Sequence, residues 1–312
     1  MIYDEEGDCD PYYKVRFVYD WNMNFADAFP NEVLSVTLYA VNADGDIVWS
    51  KHESGEALTR DGYLMDVEVD PGDYTFIAWC GQGHRTSFSV AEAQKHTGLV
   101  CSLNHERDTD GTAHSRKDLD RLYHGTLEAS LPDTQGTHIY TMKLKKNTNV
   151  VRVALQQQQG LPINPEDFHF SITDSNGVMD WDNSLLGDEA VTYHPWSVRQ
   201  GSAGIYLPET ESRAVVTGVN AVLTEFTTAR LMKDHEARLT VRNAKGETII
   251  SIPVIDFGLM FKGENYRSMD DQEYLDREDH WNMVFFLDEN QRWIDTHIFI
   301  NSWKLVLQNV EI

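Results

Sequence analysis

The residues whose types and spacing best suit acid/base chemistry lie in one acidic stretch near the C-terminal end of the chain, YLDREDHWNMVFFLD (274–288). Glycoside hydrolysis uses two carboxyl groups held at a fixed separation across a cleft. The carboxylates available for such a pair are Asp276, Glu278, Asp279, Asp288 and Glu289. Neighbours on one loop rarely meet that geometry, so we interpret DREDHWN as a charged lead-in, MVFFLD as a buried strand, ENQR as a turn and WIDTHIFI as the return strand. We therefore predict a structural role for these carboxylates and no catalytic residue.

A second acidic segment, ERDTDGTAHSRK, has part of the spacing of an EF-hand calcium loop. Glu106, Asp108, Asp110 and Gly111 stand at the first, third, fifth and sixth positions of that motif. Its twelfth position is Lys117, where the motif needs a carboxylate that binds the ion with both oxygens. We therefore favour a solvated loop here over a calcium site.

The remaining motifs do not indicate an enzyme. The chain contains 12 histidines but no HExxH motif, and it has no GxSxG, Walker or GxGxxG signature. A zinc site assembled from distant loops is the remaining metal alternative. We predict a protein without catalytic activity, cofactor or metal.

Composition limits the partners of the chain. Its 312 residues carry 50 Asp and Glu against 26 Lys and Arg, a formal net charge of −24. Such a field repels phosphate backbones and anionic lipid headgroups, so we exclude nucleic acid as a partner. Hydrophobic residues make up 41% and aromatic residues 11%, which is typical of globular proteins, and the length allows two domains.

Three cysteines, Cys9, Cys80 and Cys101, lie in the first half of the chain. One disulfide among them would leave a single thiol, and the sequence does not decide which pair forms. The alternative is that they are small buried apolar side chains without a disulfide.

The elements that must position these residues are mainly β-strands. FHFSITD places Phe168, Phe170 and Ile172 on one face, the period-2 pattern of a half-buried strand, and VLSVTLYAV and LMDVEVD repeat it. Glycine turns separate such runs: Asp44-Gly45, Pro71-Gly72, Asn176-Gly177 and Lys245-Gly246. Helical periodicity is confined to short candidates at 89–98 and 114–125. We predict an all-β sandwich fold with short helices in loops.

The two halves of the chain have a weak internal similarity. Each opens with an arginine-bearing strand, YKVRFVYD or NVVRVALQ, and continues with a strand, a glycine turn and a strand that ends in Trp49 or Trp181. Chance similarity between two β-rich stretches is the alternative. We predict two tandem domains, residues 1–135 and 136–312, with the boundary in the loop LPDTQGTH (131–138).

Several long irregular stretches resemble a known family. These are YYKVRFVYDWNMNFADAF, DPGDYTFIAWCG, YLDREDHWNMVFFLDENQRW and IFINSWKLVLQNVEI. Together they are similar to the fimbrillin-associated anchor subunits of Bacteroidales fimbriae. The resemblance implies two tandem transthyretin-like (Greek-key) β-sandwiches and a non-enzymatic lipoprotein. Such a protein sits at the outer membrane, contacts shaft or accessory pilin subunits, anchors the base of a fimbrium on the cell surface and limits its length.

The N-terminal sequence departs from the family pattern. MIYDEEGDCD has neither the basic nor the apolar region of a signal peptide, so a signal peptide is either absent or already removed. Cys9 follows Gly7 and Asp8 instead of the small apolar residues that precede an acylated cysteine. We expect the lipid-bearing cysteine and the signal peptide to lie upstream of this chain.

The resemblance to an anchor raises the question of how a β-sandwich binds a pilin. An open sheet edge can accept an extended segment through main-chain hydrogen bonds. Because terminal strands tend to be edge or exchangeable strands, we expect the partner contact at the two ends of the chain. The candidate partner-binding residues are Tyr12, Val15, Phe17, Trp303, Leu305 and Leu307.

The alternative function is a glycan-binding surface lipoprotein of a polysaccharide-uptake system. β-Sandwiches commonly present exposed aromatic rings for sugar stacking, and Trp49, Trp196 and Trp281 are the candidates. A coplanar pair of exposed tryptophans would support this alternative, whereas buried tryptophans would favour the anchor.

Overall fold

The computed structural model describes residues 10–81, 87–157, 162–187, 189–205 and 217–298. Within them the chain forms 22 strands and only short helices, and the all-β sandwich prediction is confirmed. The α-helices are α1 (Phe29–Glu32), α2 (Val254–Leu259) and α3 (Asp271–Arg277), with 3-10 turns at His96–Gly98, Pro165–Asp167 and Glu264–Tyr266. No helix in this part of the chain is long and apolar enough to cross a membrane.

The chain divides into two compact units. Unit 1 comprises residues 1–104, 120–147 and 178–187, and unit 2 comprises residues 105–119, 148–177 and 188–312. The strands of unit 1 are β1 (Pro11–Val18), β2 (Ser35–Val41), β3 (Ile47–Ser54), β4 (Met65–Val67), β5 (Gly72–Gly81), β6 (Phe88–Val90), β7 (Cys101–Leu103), β10 (Leu122–Leu131), β11 (Gly136–Lys143), β12 (Lys145–Lys146) and β15 (Val178–Met179). The strands of unit 2 are β8 (Glu106–Arg107), β9 (Ala113–Ser115), β13 (Thr148–Gln157), β14 (Phe168–Asp174), β16 (Val191–Tyr193), β17 (Ser197–Ile205), β18 (Thr217–Ala229), β19 (Arg238–Asn243), β20 (Thr248–Pro253), β21 (His280–Leu287) and β22 (Trp293–Ile298).

Unit 1 is built around the five-stranded sheet β12-β10-β5-β2-β3. Its central strand β5 is buried from Phe76 to Cys80 without alternation, so side chains on both faces are covered. Phe76, Ala78 and Cys80 join one core with residues of the sheet β11-β1-β4. Ile77 and Trp79 belong to clusters on the other face, which residues of β7 and β15 help to form.

Unit 2 contains the five-stranded sheet β17-β18-β13-β21-β22 and the six-stranded sheet β20-β19-β14-β16-β9-β8. β13 pairs with β18 in antiparallel and with β21 in parallel register, so it lies inside its sheet. The predicted hairpin that starts in the acidic stretch is confirmed, because β21 and β22 pair in antiparallel register. The predicted alternation of β14 is confirmed as well, since Phe168, Phe170 and Ile172 are buried.

The division of the chain differs from the predicted boundary between residues 135 and 136. β11 pairs in parallel with β1 along the whole of both strands, from Pro11 opposite Gly136 to Val18 opposite Lys143. Residues 136–147 consequently belong to unit 1. A parallel partner more than a hundred residues away leaves no local mark in the sequence, whereas the loop at 131–138 has strong turn chemistry.

Both predicted helices are wrong. Within 89–98 the structure has the end of β6 and the 3-10 turn His96–Gly98. Within 114–125 it has parts of β9 and β10, joined by an irregular segment. The apolar residues that suggested a helical stripe are instead held by ladder pairing, since Leu122 to Gly125 lie opposite Gly81 to Ala78 of β5. Tertiary pairing overrides local propensity here.

The close contact between α2 and β21 generates a prediction about stability. A Cβ atom on Gly258 would lie 2.8 Å from Cζ3 of Trp281. The indole is buried and fixed, because its Nε1 donates to Asn149 Oδ1 at 3.1 Å. Ala in place of Gly normally favours a helix, but here the added carbon overpacks the site. We expect Gly258→Ala to lower the free energy of unfolding by about 1–3 kcal/mol, measured by urea denaturation.

Gly263→Ala is the matched control, because its added Cβ would meet nothing nearer than the Phe261 carbonyl oxygen at 3.9 Å. Equal stability of the two variants would contradict the packing argument.

Candidate functional site

The acidic stretch is held by a buried ion pair. Asp276 lies on α3 with 3% of its surface exposed. Its two oxygens accept hydrogen bonds from Nε and Nη2 of Arg230, both at 2.8 Å. Gln272 Nε2 donates to Asp276 Oδ1 at 2.9 Å and to the Leu231 carbonyl at 3.1 Å. Asp276 therefore joins α3 to the residue that follows β18, and both of its oxygens accept hydrogen bonds within the protein.

The other carboxylates of the stretch fix the backbone and neighbouring side chains. Glu278 is buried and accepts the main-chain N–H of His280 at 3.1 Å. Asp279 lies 2.6 Å from Nδ1 of the same histidine. Asp288 Oδ1 accepts the N–H groups of Asn290 and Arg292, each at 2.8 Å, and so shapes the turn before β22. These contacts support the structural interpretation of the stretch. The predicted lead-in loop is partly wrong, since α3 extends through Arg277.

The EF-hand-like segment forms the β8–β9 hairpin. Glu106 lies opposite His114 in the ladder, and its carboxylate is 3.6 Å from Lys117 Nζ. Asp110 accepts the Thr112 N–H at 2.9 Å, and the hydrogen bonds to Thr112 lower the pKa of that carboxyl group. Across the described ranges, no group of three His, Cys, Asp or Glu side chains is arranged to hold a metal ion.

The cysteines lie in the interior where the structure describes them. Cys80 and Cys101 are buried free thiols that belong to different core clusters. Burial raises the pKa of both thiols, that of Cys101 to about 12. The third candidate for a disulfide, Cys9, lies outside the described residues.

The tryptophans proposed for sugar stacking do not form a platform. Trp281 is buried and makes a T-shaped contact with Tyr274, with ring centroids 6.0 Å apart. Trp49 and Trp196 are half-buried, and Trp49 packs against the core of unit 1. In the ranges that the structure covers, no ring contact joins two tryptophans.

One open surface of unit 1 is a groove of about 910 Å³. We call it the β4 groove. Its lining includes Tyr12 and Lys14 of β1, residues 66–70, and Val48 and Lys51 of β3. β4 and β3 are the terminal strands of their respective sheets among the described residues, so the groove lies beside two sheet edges.

Apolar and charged side chains share the β4 groove. Tyr12 and Val48 have 48% and 51% of their surface exposed. Lys14 forms an ion pair with Asp66, and Lys51 is 2.9 Å from a carboxylate oxygen of Glu53. The groove therefore combines exposed apolar surface and paired charges with the sheet edges at β4 and β3.

Of the three candidate residues for partner binding that the structure describes, Tyr12 lines this groove and Val15 and Phe17 do not. β1 lies between β11 and β4, so the expectation that the first strand is an edge strand is wrong. Val15 and Phe17 are buried in the core of unit 1. The three C-terminal candidates Trp303, Leu305 and Leu307 lie outside the described residues.

Comparisons with known proteins identify relatives across nearly the whole chain. Residues 5–309 match the family model described as fimbrillin-A associated anchor proteins Mfa1 and Mfa2. The structure of a candidate adhesin from Bacteroides thetaiotaomicron is 36% identical, with a TM-score of 0.82, over 97% of this chain and 100% of that chain.

Two further relatives bear on function. A candidate polysaccharide-binding protein from the same bacterium is 29% identical, with a TM-score of 0.76, over 95% of this chain and 99% of that chain. The minor fimbrium anchoring subunit Mfa2 of Porphyromonas gingivalis is 23% identical over 328 residues, which cover 100% of this chain and 90% of that protein.

The buried ion pair of the acidic stretch can be tested by mutation. Asp276→Asn removes the negative charge that pairs with Arg230, whose side chain is only 7% exposed. Breaking a buried pair in this way costs about 3–5 kcal/mol, and we expect that loss in the free energy of unfolding. Glu225→Gln is the control, because its partner Arg152 has a half-exposed side chain and such pairs contribute about 0–1 kcal/mol. A loss as small in Asp276→Asn as in the control would contradict the structural role.

Proposed function

We propose that this chain, which belongs to the family of fimbrillin-A associated anchor proteins, holds a fimbrium at the bacterial surface. The family and the similar structures support a non-enzymatic role as fimbrial anchor or surface adhesin. The observation that carries the anchor proposal is the family match over residues 5–309, which spans both units. A lipid on a cysteine upstream of this chain would attach the protein to the outer membrane, and shaft or accessory pilin subunits would be its partners.

The proposed contact with a pilin is strand addition in the β4 groove. β4 pairs with β1 only from Tyr13 to Val15, and its other side has no strand among the residues that the structure describes. An extended segment laid along this side would satisfy main-chain groups of β4 and place alternate side chains against Tyr12 and Val48. Val15 and Phe17 then act indirectly, because they hold β1 in the core beneath the acceptor edge.

The C-terminal segment has a separate part in this proposal. Trp303, Leu305 and Leu307 alternate with Lys304 and Val306, a pattern suited to one apolar face of an added strand. We propose this segment as a second partner-binding element.

A lipid-attached subunit at the base would also limit fimbrial length, because subunits cannot be inserted beneath it.

Crosslinking at the β4 groove tests strand addition. In a Cys9→Ser background, Glu68→Cys places a reactive thiol in the groove, while Cys80 and Cys101 stay buried. We expect a thiol-attached photocrosslinker at position 68 to trap a fimbrial subunit on intact cells. Lys245→Cys, in the exposed turn between β19 and β20, is the control and should trap none. Attached fimbriae without an adduct at position 68 would contradict the proposed site.

The second candidate function is glycan binding. It is favoured by the 29% identical relative named as a candidate polysaccharide-binding protein. The buried Trp281 and the half-buried Trp49 and Trp196 argue against it. We expect no retardation of the full chain in affinity gels that contain surface polysaccharides. Retardation that Trp49→Ala or Trp196→Ala abolishes would favour this second function over the anchor.

A further inference from the structure

A recess of about 160 Å³ opens on one face of the sheet β17-β18-β13-β21-β22 in unit 2. Residues of β13, β17, β18 and β21 line it. In the ladders, Ala154 of β13 stands between Leu223 of β18 and Val284 of β21. Paired residues of neighbouring strands share one face of a sheet, so these three side chains form a continuous apolar row.

The small side chain of Ala154 forms the floor of the recess. Only 3% of its surface is exposed, whereas Leu223 and Val284 beside it are half-buried. A methyl group between two longer aliphatic side chains leaves unfilled the space that protein interiors normally pack. The recess therefore has an apolar floor and two apolar walls, and it is large enough to hold one small ligand.

A cation stands at the rim of the recess. Arg199 of β17 lies opposite Leu223 in the ladder, and its side chain is exposed. Its Nε donates to Oγ of Ser197 at 3.1 Å, and in the described ranges it forms no ion pair. The charge of Arg199 is therefore available to an anion that enters the recess.

The second arginine of the lining differs from Arg199. Arg152, two positions before Ala154 on β13, donates from Nε to Oε1 of Glu225 at 2.6 Å. That carboxylate compensates the charge of Arg152 within the protein. The recess consequently has one uncompensated positive charge beside an apolar floor, and this arrangement suits a ligand with one negative end and one apolar end.

We propose that this recess binds a short aliphatic monocarboxylate, with its chain over Ala154 and its carboxylate on the guanidinium of Arg199. A dry cavity of about 150 Å³ holds a ligand of about six carbons, such as benzene, so a chain of five or six carbons matches the space. Guanidinium groups bind carboxylates through paired hydrogen bonds. The site lies in unit 2 and depends neither on the β4 groove nor on the anchor role.

A free acid fits the recess better than a segment of another protein. Along an extended peptide, successive side chains point to opposite sides, so the carboxylate next to an inserted aliphatic side chain would point away from Arg199. The net charge of −24 also opposes a strongly acidic macromolecule. A single carboxylate depends mainly on the nearest cation, because salt screens charges beyond about 8 Å.

Hexanoate is the probe for this site, titrated into the full chain at neutral pH and physiological salt and followed by ligand-observed NMR. We expect saturable binding at one site. Acetate lacks the chain and hexanamide lacks the charge, so both should bind about 10-fold more weakly or not at all.

Variants of the lining locate the binding. We expect Arg199→Gln to weaken hexanoate binding about 10-fold, because it removes the cation from an exposed position. Arg242→Gln is the matched control, since it removes an exposed arginine from β19 in the other sheet and should leave binding unchanged. Ala154→Leu should fill the recess and abolish saturable binding, with its fold checked by urea denaturation.

Several results would overturn the proposed site. These are absence of saturable hexanoate binding to the original chain, hexanamide binding as tight as that of hexanoate, or equal weakening by Arg199→Gln and Arg242→Gln. Unchanged binding by folded Ala154→Leu would also exclude the recess. If Ala154→Leu does not fold, the comparison of the two arginine variants decides. A peptide of alternating Leu and Glu that binds at Arg199 and that hexanoate does not displace would assign the recess to a protein partner instead.

Discussion

The burial of β5 on both faces is the constraint on which unit 1 depends. Its side chains point alternately into two separate cores, so the strand must be apolar from Phe76 to Cys80. One of those cores is completed by β1, β4 and β11, and the β4 groove lies beside β4, which is only three residues long. The same core contains the buried Phe29 of α1. The β4 groove thus depends on the packing around one strand.

Much of the fold follows from local sequence patterns. Alternation locates β2, β4 and β14, and a positive φ at Gly45 and Gly246 marks two hairpin turns. The second half of the chain follows the predicted repeat less closely than the first half, because the strand after Gly177 pairs with β7 and not with β14. Partner choice between distant strands depends on the whole core, and no short pattern encodes it.

Less of the candidate functional site than of the fold could be predicted from the sequence. The carboxylate pattern correctly suggested a structural role, but Arg230 lies 46 positions from Asp276 and carries no signal of that pairing. β4 is an edge strand because it pairs with β1 on one side only, and the sequence does not show where this pairing ends. The position of β1 near the start of the chain wrongly suggested that β1 was the edge strand.

The interleaved division of the chain has a consequence for biogenesis. Unit 1 needs residues 178–187, whereas residues 105–119 belong to unit 2 although unit 1 segments flank them. A polypeptide emerging from the ribosome or a translocon delivers its N-terminal end first. Unit 1 stays incomplete until residue 187 of 312 has appeared, so it cannot complete its fold when only its first 147 residues have emerged. Nascent chains of this protein therefore require protection from aggregation for longer than a simple tandem arrangement would.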